Sequence, residues 1–364
     1  AFSILEKFLL DLFSSTEIRD IINEAYDNFD EGIDTTFQEL SFEFETSADS
    51  LFQYNIGGLS IREEICCDEL MEVQREYLDT NLSKEVQHFV GQEISYKGSL
   101  REHFLAYGAD VKLANYDIYS LLGNMKELLA DFKSRGALLS FAHPLVGTED
   151  IEAFCADLAK ENVFGMDLIE VTNLQQVPFE DYMELWDCLS EKQFILTGIA
   201  GSDEHYTRPW TAMPYLSPFV TYPLVFGDTE EDYLQTVKRG NVFMANHRVL
   251  IGKQFSMRVF AADRLGDMGQ IVDNLSKEPL ELKIAVQGNQ KGDEIRWLVN
   301  GVVVKEEKTV ADEYSLVITP EEWTWVRAEL WRNDVVVGQP IILTNPIYLS
   351  TADIDVPEER EPRQ

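Results

Sequence analysis

The run Ser202-Asp203-Glu204-His205 follows the apolar stretch Phe194 to Ala200 and sets a carboxylate and an imidazole two residues apart beyond a strand-like segment. In an extended loop, side chains at i and i+2 project to one side of the backbone, so this pair can grip a single metal ion. The triplet alone is weak evidence. Its weight comes from the other histidines, of which the chain has five in all. His143 closes the apolar run Ala137 to Ala142, and His103 lies ten residues beyond Glu93, itself inside the run Phe89 to Ser95. Polar residues delivered from the carboxyl ends of successive strands are what a barrel of alternating strands and helices gathers over one pocket. The competing reading makes each an ordinary loop histidine with satisfied hydrogen bonds. Arg208, just after the Asp203/His205 loop, and His247, just after the apolar run ending at Ala245, are candidate contacts for an anion or a leaving group. Surface salt bridges are the alternative role for the arginines Arg208 and Arg248.

The elements that must position these residues alternate. Met125 to Lys133 is amphipathic and leads through Gly136 into a strand at 137–142. Ile151 to Lys160, Tyr182 to Glu191 and Glu230 to Lys238 read as helices, preceding strands at Met166 to Val171, Phe194 to Ala200 and Asn241 to Ala245. Such alternation predicts parallel strands with helices outside, as a barrel or an open doubly wound sheet. Residues 1–38 read as helices, through Phe2, Leu5, Phe8, Leu9, Leu12 and Phe13 and then Ile18, Ile21, Ile22 and Ala25. They pack on the chain's own barrel or serve docking and oligomerisation. Beyond about residue 255 the pattern turns to alternating and β-branched runs, with Asn300-Gly301 as a two-residue hairpin signal. The expected division is helices at 1–38, a barrel at 39–255, an antiparallel β-sandwich at 256–350 and a charged tail at 351–364.

Composition limits the function classes. The 364 residues carry 65 acidic against 30 basic side chains, a formal charge of -35, which repels phosphate backbones and anionic lipid and argues against a nucleic-acid partner. Hydrophobic residues make up 45%, enough for a sizeable core, which excludes a disordered chain. No apolar run approaches the roughly 20 residues of a membrane helix. Cys66, Cys67, Cys155 and Cys188 show no C-x-x-C spacing, and reduced, buried thiols are the expectation, with disulfides in a secreted chain as the alternative. The chain opens on Ala1-Phe2-Ser3 without Met, so the expected compartment is cytoplasmic, or secreted or periplasmic after removal of an upstream segment.

Three segments together resemble a family. Gly136 to Pro144, Gly165-Met166-Asp167-Leu168-Ile169-Glu170-Val171-Thr172-Asn173 and Gly201-Ser202-Asp203-Glu204-His205 look like successive strand ends of the PHP superfamily, named for polymerase and histidinol phosphatase. Trp325 to Glu329 and Thr344-Asn345-Pro346-Ile347-Tyr348 resemble the carboxyl-terminal β-domain of its CehA/McbA-type branch. The resemblance spans about residues 86–350. It implies a distorted (β/α)7 TIM-like barrel with a metal cluster at the strand ends. By it Glu93, His103, His143, Asp203 and His205 fall on metal-ligand positions, His143, Asp203 and His205 become the catalytic residues, and Glu170 and Asn173 line the pocket or support its ligands.

The family opens with H-x-H-T and S-D-G motifs, and here glutamates stand where histidines would. Glu43-Phe44-Glu45-Thr46 is the nearest counterpart of the first motif, and Leu59-Ser60-Ile61-Arg62-Glu63-Glu64 that of the second. Either the first unit has decayed, or Glu43, Glu45, Glu63 and Glu64 replace imidazoles and favour harder ions such as manganese, magnesium or calcium. A solvated acidic surface is the third reading of these glutamates. Two hypotheses follow. The first is a metal-dependent hydrolase, holding manganese, zinc or iron, or else magnesium or calcium, and cleaving a phosphoester or another small ester or amide-like bond with a metal-activated water. The second is a catalytically decayed barrel acting as a binding or assembly protein. The expected partner is a small-molecule substrate, with homo-oligomerisation through the N-terminal helices or the β-domain.

Overall fold

Helices form where apolar spacing and end caps agree. The computed structural model describes residues 42–46, 50–56, 59–64, 91–95, 103–108, 125–172, 177–201, 219–224, 229–250, 254–262, 266–332 and 338–352. Helix α1 (Met125–Ser134) leads into the first buried strand of its sheet. Helix α2 (Ile151–Lys160) starts where the Asp150 side chain accepts the Ala153 N–H, with Glu152 in its first turn and Lys160 in its last. Helix α3 (Phe179–Glu191) follows Pro178 and buries Tyr182, Leu185, Trp186 and Leu189 at helical spacing. Helix α4 (Glu230–Lys238) opens on a capping box between Thr229 and Asp232. A short helix α5 (His247–Leu250) follows.

The chain divides into two compact units. The first comprises Ala1–Val90, Asp110–Asn124 and Glu204–Met213. Its described part is an antiparallel meander of β1 (Phe42–Thr46), β2 (Ser50–Ile56) and β3 (Leu59–Glu64). Glu43 and Glu45 lie on β1, Glu63 and Glu64 on β3, and Glu45 and Glu64 both pair with Leu51 of the central strand. These residues therefore sit on a hairpin meander and not on a first βα unit.

The second unit contains the remaining described elements. Strands β4 (Gly91–Ser95), β5 (His103–Tyr107), β6 (Leu138–Phe141), β7 (Leu168–Thr172) and β8 (Thr197–Ala200) form one sheet in that order. The pairs β4–β5 and β5–β6 are antiparallel, while β6–β7 and β7–β8 are parallel. Helices α2 and α3 supply the two crossovers that the parallel pairs require.

Strands β9 (Phe219–Pro223) and β10 (Val242–Asn246) are antiparallel to each other and belong to a different, eight-stranded sheet. Its other members are β12 (Ile271–Asp273), β14 (Glu294–Val299), β15 (Val302–Lys308), β17 (Trp323–Trp331), β18 (Ile342–Thr344) and β19 (Ile347–Ser350). A three-stranded sheet of β11 (Ser256–Ala261), β13 (Leu280–Gln287) and β16 (Glu313–Ile318) packs against it. Met257, Val259, Leu282 and Ile284 from the small sheet meet Trp297, Ala328, Leu330 and Ile342 from the large one in a single core. The period-two burial of β13 is the local cause, since alternate residues point into that core. The β14–β15 turn places Asn300 at φ 50° and Gly301 at φ 75°, as a two-residue turn between twisted strands requires.

The expected distorted (β/α)7 TIM-like barrel is not formed. A barrel needs parallel strands closing on themselves, whereas the β4 to β8 sheet is half antiparallel, and β9 and β10 pair with each other in the other sheet, where β10 also pairs with β18. The architecture is dominated by β-sheets. Alternating strand and helix patterns report which segments are buried but not which way a strand runs. The run Val242-Phe243-Met244-Ala245 is buried on both faces, so it reads the same in a parallel barrel and in an antiparallel sandwich.

The expectation of reduced cysteines is likewise corrected: Cys155 of α2 and Cys188 of α3 form a disulfide across a Cα separation of 6.4 Å. Both residues sit on the faces that the two helices turn towards each other, a coincidence invisible in their 33-residue separation. By the loop-closure relation for that separation, Cys188→Ala is expected to lower the unfolding free energy by about 3–4 kcal/mol. Urea unfolding of the variant and of reductant-treated wild type should agree; a loss below about 1 kcal/mol would remove the disulfide from the stability account.

Candidate functional site

Three of the sequence-derived candidates converge at one end of the β5–β6–β7 segment. His103 opens β5, His143 lies two residues beyond the end of β6, and Glu170 is inside β7. The His103 carbonyl accepts the Ala142 N–H at 3.2 Å, which continues the β5–β6 ladder to the residue before His143. The imidazoles meet there, with His103 Nδ1 and His143 Nε2 3.1 Å apart and ring centroids 4.9 Å apart in an edge-on arrangement.

His143 is buried and has φ 31°, in the left-handed region that a non-glycine residue enters at a cost of about 1–3 kcal/mol. The backbone turns this way because Leu139 to Phe141 are committed to the sheet while Pro144 and Leu145 begin a tight turn, closed by the Val146 N–H on the His143 carbonyl at 3.1 Å. The His143 N–H donates to Glu170 Oε2 at 2.6 Å, a short bond. Glu170 is itself buried and rests against Gly201, where an added Cβ would stand 2.0 Å from Oε1. Gly201 is fixed in turn, since its N–H donates to the Thr172 carbonyl at 2.9 Å and the preceding Ala200 N–H donates to Thr221 Oγ1 at 2.8 Å.

Glu93 lies on β4 opposite Leu105, one diagonal step in the sheet from His103. Asn173, Asp203, His205 and Arg208 lie outside the described residues. Among the described residues no group of three or more His, Cys, Asp or Glu comes together as a metal cage. His103 and His143 form an imidazole pair.

His247 belongs to a different environment. Its Nδ1 lies 2.6 Å from the Tyr222 hydroxyl, and the Tyr222 ring stacks on Phe243 and meets Phe255 edge-on. Burial against that aromatic group pushes the Tyr222 phenol above its ordinary value.

Sequence reasoning missed two residues of these sites. Gly201 directly precedes the Ser202-Asp203 run, and its requirement comes from Glu170, 31 positions earlier in the chain. Tyr222 sits in Phe219-Val220-Thr221-Tyr222-Pro223, whose β-branched and aromatic content was the available strand signal.

No family model and no curated protein matches the chain. Among solved structures it is similar to the solution NMR structure of the CARDB domain of PF1109 from Pyrococcus furiosus, at 15% identity over 27% of this chain and 97% of that one, with a TM-score of 0.19. The crystal structure of the same domain in complex with di-metal ions gives 15% identity over 26% and 87%, again with a TM-score of 0.19. Likeness at this level bears on neither fold nor function here.

Proposed function

We propose that this protein is a divalent-metal-dependent hydrolase whose metal is held in part by His103 and His143. One observation carries the reading: the two imidazole nitrogens stand 3.1 Å apart. Two nitrogens each about 2.0–2.1 Å from one ion, at angles between a right angle and a tetrahedral one, lie about 2.9–3.4 Å apart. The pair therefore fits as ligands of a shared ion. The same spacing serves a hydrogen bond between the rings when no ion is bound. Asp203 and Glu93 are the residues that the PHP-type motifs nominate to add carboxylates to this ligand set. A bound ion of this kind supplies an activated water near neutral pH and polarises a phosphoryl or carbonyl oxygen.

The substrate class is a phosphoester or another small ester or amide-like bond. The overall charge of -35 disfavours an anionic substrate at long range, and a bound cation reverses that field locally. The ion is manganese, zinc or iron in preference to magnesium or calcium, because two imidazoles suit the former. The Cys155–Cys188 disulfide supports an oxidising compartment, periplasmic or extracellular. No described helix is long and apolar enough to cross a membrane.

Elemental mass spectrometry of purified wild type, His103→Ala and His143→Ala tests the reading. Wild type dialysed against manganese or zinc is expected to retain near-stoichiometric metal and each variant to lose most of it, with unchanged far-ultraviolet circular dichroism. Metal-free wild type, or equal metal in all three proteins, would sink the proposal.

A further inference from the structure

We infer that Glu170 is the positioning residue of the His103–His143 pair and that Gly201 is glycine in order to let it act; the inference rests on the metal-binding reading above for its affinity predictions but not for its geometric ones. His143 has φ 31°, beyond the last residue of β6. The bond from its N–H to Glu170 Oε2, at 2.6 Å, ties that residue to the next strand of the sheet. Because Phe141 pairs with Ile169 in the parallel β6–β7 register, Glu170 stands one residue further along β7 and reaches the main chain where it turns.

The carboxylate has little freedom of its own. Its Oε1 occupies the space that a Cβ on Gly201 would fill, at 2.0 Å, and Cδ lies 2.5 Å from the same point. Gly201 cannot retreat, since its N–H is bonded to Thr172 and the Ala200 N–H to Thr221. Any side chain at position 201 must therefore push Glu170 away from its seat, and Glu170 must carry the His143 N–H with it or release it. The sequence of contacts Gly201, Glu170, His143, His103 runs from the end of β8 to the start of β5. It lets the strand just before the Ser202-Asp203 run set the separation of two imidazoles on other strands.

A purely structural role for Glu170, satisfying one buried N–H, predicts lost stability without altered ring geometry. The positioning role predicts altered ring geometry in folded protein. Five full-length proteins distinguish them: wild type, Glu170→Ala, Gly201→Ala, the double variant and Glu170→Gln. Two readouts are taken, zinc affinity by competition titration and the imidazole nitrogen shifts of 15N-histidine-labelled, metal-free protein. Glu170→Ala and Gly201→Ala are each expected to weaken zinc binding by about 10–100-fold, the usual range for residues that orient a ligand. The double variant should bind no more weakly than Glu170→Ala, because Gly201 acts only through Glu170. Glu170→Gln keeps an acceptor oxygen and should stay within about threefold of wild type. The His143 ring signals should move in the two alanine variants and hold in Glu170→Gln.

Additive losses in the double variant, or unmoved ring signals in folded Gly201→Ala, overturn the inference even if wild type binds zinc. Should wild type bind no zinc while the ring signals still move, the metal reading fails and the positioning role stands. If Glu170→Ala does not fold, Gly201→Ala and Glu170→Gln carry the test.

Discussion

Arg327→Ala is expected to lower the unfolding free energy by about 3–5 kcal/mol, with the larger loss at neutral and alkaline pH. Arg327 is almost wholly buried on β17 and forks onto Asp187 of α3, with Nη1 on Oδ1 and Nη2 on Oδ2 at 2.9 Å. The Trp325 Nε1 donates to Asp187 Oδ1 at 3.0 Å, and Trp323 Nε1 donates to the Ser190 carbonyl at 2.8 Å. One face of α3 is thereby docked on the eight-stranded sheet through polar contacts set among buried aromatics. Removing the guanidinium strands Asp187 and leaves Glu329, whose Oε1 lies 3.7 Å from Arg327 Nε, without its main counter-charge. Burial already holds the Glu329 carboxyl above its ordinary value against the attraction of Arg327. A raised carboxyl contributes stability below the ordinary carboxylate range and loses it as pH rises through the folded value. Without Arg327 the folded value climbs further, so the loss extends to higher pH and deepens there. Urea unfolding at pH 5 and pH 8 measures it. Asp187→Asn with Arg327→Met keeps an acceptor for Trp325 and removes both charges of the pair, and should recover part of the loss. A pH-independent cost below about 1 kcal/mol for Arg327→Ala would contradict the account.

How much of this was legible in the sequence depends on whether the cause is local. The α2 and α4 boundaries follow from apolar spacing and caps that lie within four residues of the helix starts, and the spans Ile151–Lys160 and Glu230–Lys238 coincide with the sequence reading. The β14–β15 hairpin is carried by Asn300-Gly301 alone. Strand direction and sheet membership are not local. Asn241 to Ala245 reads as the next strand of a barrel or open doubly wound sheet, yet the partners of Val242–Asn246 are Thr344, Leu343 and Ile342, about a hundred positions away, and Tyr222 and Thr221 across α4. The same holds for the site. His103 reads as following the run Phe89 to Ser95, yet it opens β5, and it meets His143 beyond β6, with Glu170 beside it on β7, because these strands are sheet neighbours. His247 was nominated by the same logic, and its contact is with Tyr222, because β10 belongs to another sheet. Strand ends bring side chains together only where the strands share a sheet.

Asn345→Ala is expected to cost about 3–6 kcal/mol, as much as any single truncation in the unit, although the residue resembles an ordinary turn asparagine in the sequence. It lies between β18 and β19 and is fully buried. Its Oδ1 accepts the Gly198 N–H at 2.8 Å, while its Nδ2 donates to the Gly198 carbonyl and to the Val242 carbonyl, each at 3.0 Å. The side-chain amide thus reproduces the paired bonds of a strand neighbour for β8 and reaches β10 at the same time. Like the Ala200 N–H on Thr221 Oγ1, it joins the five-stranded and eight-stranded sheets through a side chain. Gly198 cannot be approached otherwise, since a Cβ there would lie 2.6 Å from Trp186 Cη2, so β8 is wedged between the α3 indole and Asn345. Truncation leaves one donor and two acceptors buried without these partners, at about 1–3 kcal/mol each before any relaxation or water entry. Asn345→Asp separates hydrogen bonding from shape. The carboxylate keeps the bond to the Gly198 N–H but turns an oxygen towards two carbonyls, so the buried acid must hold its proton to restore a donor. Its folded pKa is raised, and its contribution is therefore present below the ordinary carboxylate range and lost as pH rises. Urea midpoints between pH 4 and pH 8 should show the aspartate variant approaching wild type in acid and falling below the alanine variant at neutral pH. Amide exchange at Gly198 should quicken in both variants, and since Gly201 ends the same segment, the join at Asn345 also steadies the strand against which Glu170 sets His143.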